Sequence, residues 1–181
     1  MMRLLLCAIV AWLAWPAAAA EYNRVELAAS SIQFISKQMG VPVQGGFGKF
    51  TAQVNFDPAK PEAARARVEI DMASIDAGSR EANQEVIGKN WFAVKEFPLA
   101  RFESTSLTPL GGDRYQVRGK LTLRNVTREV SAPFSFRGGV FEGRFIVKRL
   151  DYGIGQGVWA DVGTVADDVE VRFKFLTLPS K

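Results

Sequence analysis

Histidine is absent from this 181-residue chain, and cysteine occurs once, at Cys7. Those two facts remove a Ser-His-Asp triad, a Cys-His pair, a His/Cys zinc site and an imidazole proton shuttle. Carboxylates, Lys, Ser/Thr and Tyr remain. Asp71, Asp76, Glu103, Asp151 and Asp161 offer acid–base pairs of the kind a carboxylate-dependent enzyme uses. The same residue types are equally at home on solvated strands and in turns. Arg149 and Asp151 stand apart, because both share the parity of Phe145 and Val147, an apolar face. A charge on such a face must be paired or sit near an open end. Two readings follow: an ion pair with each other or with Asp71 or Asp76, or a polar contact to a ligand head group. Asn125-Val126-Thr127 is an N-x-T sequence that reads as a turn and not as a glycan site.

The elements that must position these residues are strands. Apolar residues recur at every second position in eight runs. Phe50, Ala52, Val54 and Phe56 alternate with Thr51, Gln53 and Asn55. Val169, Val171, Phe173 and Phe175 alternate with Glu170, Arg172 and Lys174. Similar runs hold Ile32 and Phe34; Val68, Ile70 and Met72; Phe102; Tyr115 to Leu123; Val130 to Phe136; and Phe141 to Val147. Asp57-Pro58, Gly111-Gly112-Asp113, Asn125 and Gly138-Gly139 mark turns between neighbours. Long, one-sided antiparallel strands suit a closed barrel, which leaves no unpaired edge. A two-layer sandwich is the alternative. Residues 79–89 are helix-compatible, with Ser79 as N-cap. The aromatic stretch from Asn90 to Pro98 follows and caps one barrel end. A glycine-rich stretch, 153–168, forms a second rim.

Residues 1–20 have the layout of a secretory signal peptide: Arg3, a 12-residue apolar run from Leu4 to Trp15, and Ala18-Ala19-Ala20 before Glu21. The run is too short for a membrane span. The expected mature domain is 21–181, exported to the periplasm, without cysteine and without disulfides. Such a length builds a core without staples. The formal charge of the whole chain is +4. No concentrated basic stripe accompanies it, so nucleic acid is not an expected partner. Arg144, Lys148 and Arg149 lie in one run and read as a solvated sheet face.

The inward face collects Phe34, Phe50, Phe56, Ile70, Met72, Phe102, Leu121, Leu123, Phe134, Phe136, Phe145, Val147, Phe173 and Phe175. An eight-stranded barrel is filled by its side chains or holds one slender ligand. If a cavity remains, it suits a hydrocarbon. Each buried CH₂ contributes about 0.8 kcal/mol before association costs.

Several ordered segments then resemble a known family. They are Gly46 to Phe50 leading to Phe56-Asp57-Pro58, and Val68 to Asp71 leading to Ser74-Ile75-Asp76-Ala77-Gly78. Trp91-Phe92 with Phe97-Pro98, Phe102 to Thr105, Gly119 to Thr127 and Arg149 to Gly153 follow. Together they resemble the YceI-like family of lipid-binding, lipocalin-like proteins. The resemblance implies an all-β, extended eight-stranded antiparallel barrel, with a short helix and loops capping one end. It implies a non-catalytic periplasmic protein, in a homodimer, that holds a long isoprenoid or fatty chain. A quinone or polyprenyl lipid is the expected ligand, with no metal and no cofactor. The expected ligand-binding residues are Phe34, Phe50, Ile70, Met72, Phe92, Phe102, Leu121, Leu123, Phe134, Phe136, Phe145, Val147, Arg149 and Phe173. Two departures from the family pattern matter. Asn125 replaces a usual Gly, which Asn tolerates because it adopts left-handed geometry. Glu81-Ala82-Asn83 and Val86 stand where family members often carry an acidic-His-Leu pattern. Two competing functions remain: an interaction or stress protein with a solid barrel, and a carboxylate enzyme.

Overall fold

A computed structural model describes residues 21–180. The strands are β1 (Tyr22–Gln38), β2 (Val41–Phe47), β3 (Phe50–Asn55), β4 (Arg65–Asp71), β5 (Ile75–Asp76), β6 (Leu99–Gly111), β7 (Arg114–Leu123), β8 (Val126–Arg137), β9 (Val140–Lys148) and β10 (Asp168–Pro179). They form one antiparallel sheet in the order β3-β4-β6-β7-β8-β9-β10-β1-β2-β5. A single sheet replaces the two stacked layers of a sandwich. The count is ten, not the eight that alternation predicts. The two extra strands are β2, where Pro42 and Gly45-Gly46 interrupt the pattern, and β5, which is two residues long. The predicted signal peptide lies outside the described residues.

The sheet curls until its ends meet, as in lipocalin-like barrels. Tyr22 and Phe56 exchange backbone hydrogen bonds of 2.8 and 3.0 Å. β2 pairs with β1 and runs on through Gly48-Lys49 into β3, which pairs with β4. The link is held by Ser74: its carbonyl accepts from Gly48 N–H at 3.0 Å, and its hydroxyl accepts from Lys49 N–H at 2.9 Å. Alternation then sorts the side chains. In β3, Phe50, Ala52 and Val54 are half-buried while Thr51, Gln53 and Asn55 are exposed.

One end of the barrel is packed with rings. Phe56, only 1% exposed, has Tyr115 (5.4 Å), Phe136 (4.8 Å) and Phe141 (5.2 Å) around it, all edge-on. Tyr22 closes on Phe136 at 4.8 Å. Edge-to-face pairs of this kind add to the burial of area.

The other end is capped by two irregular segments. The helix α1 (Arg80–Val86) is shorter than the 79–89 stretch that composition allows. Ser79 is its N-cap, its hydroxyl accepting from Ala82 N–H at 3.1 Å. After Val86 the chain tightens into turns, with Gly88 N–H on Glu85 O at 3.0 Å. Asn83 fastens the helix to the strand before it, its side-chain oxygen accepting from Ala77 N–H.

Candidate ligand-binding cavity

Between the ring-packed end and the two rim segments the barrel encloses a cavity of about 700 Å³. The barrel is therefore not solid. Twelve expected residues line the cavity: Phe34, Ile70, Met72, Phe92, Phe102, Leu121, Leu123, Phe134, Phe145, Val147, Arg149 and Phe173. Phe50 and Phe136 do not. Phe136 belongs to the aromatic end, held by Tyr22, Phe56 and Phe141. Phe50 packs edge-on against Phe175 at 6.0 Å. Both are on the inward face, yet both spend it on neighbouring rings.

The cavity is also lined by residues outside the expected ligand-binding set. Val117, Val130, Ala132 and Val171 line it with the same parity as their named neighbours. That signal was present in the alternation. Glu81, Ala82, Glu85 and Val86 of α1, together with Trp91 and Trp159, line the rim. No periodicity points to them, because they come from irregular or helical segments.

Glycines in the walls explain why the rings leave room. Gly45, Gly119 and Gly143 each stand in an inward row of β2, β7 and β9. Gly45 is the direct partner of Phe34, and Gly143 of Phe173. A Cβ on Gly119 would lie 2.5 Å from the Phe102 ring, and one on Gly143 would lie 2.6 Å from the Phe173 ring. Each ring thus lies across a strand position that has no side chain. It covers the wall instead of reaching for the axis.

Arg149 is 2% exposed, and its partners are not carboxylates. Its Nε donates to Ala166 O (3.1 Å), Nη1 to Ile154 O (2.9 Å) and Gly155 O (3.1 Å), and Nη2 to Trp159 O (2.7 Å) and Val165 O (2.6 Å). Those five bonds use all five guanidinium donors. Neither the expected ion pair with Asp151, Asp71 or Asp76 nor a free head-group donor is found. The reason is local. A 3-10 turn over Arg149–Tyr152 ends the two-residue period, so Asp151 points to solvent. Burial lowers the Arg149 pKa, and the nearby Asp167 charge opposes the shift. Trp91 lies 5.7 Å from the guanidinium and 5.5 Å from the Trp159 ring. Its buried Nε1 has no hydrogen-bond partner among the described residues.

The five carboxylates proposed for acid–base work are not brought together. Asp71 caps the turn at Met72, accepting from Ala73 N–H at 3.0 Å. Asp76 accepts from Gly78 N–H at 3.0 Å. Glu103 lies 3.7 Å from Arg67 on the outer face. Asp161 accepts from Gly163 N–H (3.0 Å) and the Thr164 hydroxyl (2.9 Å), bonds that hold its pKa below the ordinary aspartate value. None of the five lines the cavity. Among the described residues no group of His, Cys, Asp or Glu could hold a metal ion, and no helix is long and apolar enough to cross a membrane.

The chain is similar to known proteins over most of this architecture. BcnA from Burkholderia cenocepacia superposes with a TM-score of 0.80 at 42% identity, over 83% of this chain and 98% of that one. A polyisoprenoid binding domain from Saccharophagus degradans shares the fold, with a TM-score of 0.64 at 16% identity, over 90% and 99% of the two chains. A UPF0312 protein of Azotobacter vinelandii is 32% identical over 138 residues, 70% of this chain and 69% of its relative. One from Yersinia pestis is 31% identical over 151 residues, 77% of this chain and 76% of its own. The YceI-like domain model matches residues 24–176, which takes in the barrel from β1 into β10, its cavity and both rim segments, and the chain belongs to that family.

Proposed function

We propose that this is a non-catalytic periplasmic binding protein that holds a long isoprenoid or other lipid chain for transport or storage. The observation that carries the reading is the carbon-lined cavity of about 700 Å³ inside an otherwise well-packed barrel. A largely apolar space of that size takes up hydrocarbon favourably and needs no chemistry to do so. The likeness to a polyisoprenoid binding domain supports the same ligand class. A quinone or a polyprenyl lipid fits, and neither calls for a metal or cofactor. A homodimer is part of the proposal, to be checked by light scattering on the purified protein.

Native mass spectrometry of protein purified from a membrane-containing host tests the reading. The expected spectrum shows a bound hydrophobic chain. Protein that is always empty, and that takes up no isoprenoid from detergent, overturns the proposal. Phe173→Asp should weaken lipid retention at least tenfold by placing an unpaired charge in the cavity. Lys120→Ala, an exposed change on the outer face, should leave it unaltered.

A further inference from the structure

We infer that the cavity selects lipids with an uncharged head group over prenyl phosphates, and that Glu81 and Glu85 of α1 impose the selection. The inference rests on the lipid-binding reading and narrows it to a ligand class. The cavity reaches the surface beside α1, where both carboxylates are exposed and line it. They are four residues apart and so lie on one helical face, next to each other. Neither has an ion-pair partner among the described residues.

Two cations line the same cavity, and neither offsets those charges for an incoming anion. Arg149 has committed all five of its donors to backbone carbonyls, and its charge is held near that of Asp167. Arg65 stands at the other end of the barrel, paired across the sheet with Asn55, and gives its Nη1 to Ala63 O (3.2 Å) and Ala64 O (2.7 Å). Among the residues that line the cavity, a phosphate at the α1 opening therefore meets two negative charges and no free cationic donor; Arg80, the neighbour of Glu81, does not line it. A hydroxyl or carbonyl oxygen meets Ser36, Gln38 and Ser79, which line that side and offer neutral hydrogen bonds. A head group pushed inward instead reaches Phe134, Phe141 and Phe175, where an anion would be desolvated without a partner.

The test compares geranylgeraniol with geranylgeranyl monophosphate, which share one chain and differ in the head. Trp91 and Trp159 line the cavity, so their fluorescence reports occupancy. The wild-type protein should bind the alcohol on the order of tenfold more tightly, and added salt should narrow the gap. Glu81→Gln with Glu85→Gln should tighten phosphate binding several-fold and leave the alcohol unchanged. Equal wild-type affinities, or an unchanged ratio in the double variant, overturn the inference while leaving lipid binding intact. Binding of neither probe overturns the lipid reading and this selection with it.

Discussion

Arg149 shows how one side chain can organise a rim. Five carbonyls from Ile154, Gly155, Trp159, Val165 and Ala166 converge on its guanidinium, and these span most of the loop between β9 and β10. Its planar head lies over the Trp91 ring at the same time. Lysine offers three donors from a single point and cannot reproduce the fork. Arg149→Lys should therefore leave buried carbonyls unpaired and cost about 3 kcal/mol or more. Urea unfolding is the measurement, and a midpoint within error of wild type would remove Arg149 from this role. Hydrogen exchange of residues 153–166 should rise in the same variant, because their acceptors are the ones released.

At the scale of elements, the turns and walls decide what the barrel can hold. The β7–β8 hairpin turns through Arg124 and Asn125, whose φ angles are 47° and 62°. That is the left-handed pair a two-residue hairpin needs, and Asn125 tolerates it. Arg124 then ties the hairpin to both rim segments through the carbonyls of Lys89 and Gly153. The wall glycines do the opposite of a turn glycine: they make space for a neighbour's ring. Gly119→Val would press a side chain into Phe102 and the Glu103 carbonyl. Overpacking of this kind costs about 1–3 kcal/mol. It should also push the Phe102 ring inward and reduce lipid uptake, seen as a lower bound fraction at equal protein. Unchanged stability and uptake would separate the glycines from the hollow.

The rim loop adds a pH dependence at the same scale. Asp161 has its folded pKa lowered by the Gly163 N–H and the Thr164 hydroxyl. A lowered carboxylate stabilises the loop above the ordinary aspartate pKa of 3.8, and that contribution is lost as the pH falls through the folded value. Protection of the 161–165 amides should therefore drop in acid below that range and not near neutrality. An Asp161→Asn protein should lack this acid transition, which NMR titration of the loop amides would reveal.

For the whole molecule, a cavity of about 700 Å³ sets a length limit. An isoprene unit has five carbons, so each added unit contributes on the order of 3–4 kcal/mol gross while it stays inside. Affinity should rise with chain length and then level off once the space is full. A series of prenols measured by competition checks this, and an affinity independent of length from the shortest member would argue against an enclosed chain.

Period-two alternation is a local property, so the sequence alone determined eight of the ten strands, their inward faces, the helix cap at Ser79 and the family. It also marked Val117 and Val171, which share that parity with the large rings. Whether the inward rings met at the axis was undecidable along the chain, because it depends on which glycine of a neighbouring strand each ring faces. Register between distant strands sets that, and only the folded sheet fixes register. The same holds for Arg149: its partners are backbone carbonyls, which every residue carries and no residue name announces. Glu81 and Glu85 reach the cavity through the docking of a seven-residue helix, and packing across the barrel, not spacing within it, put them there.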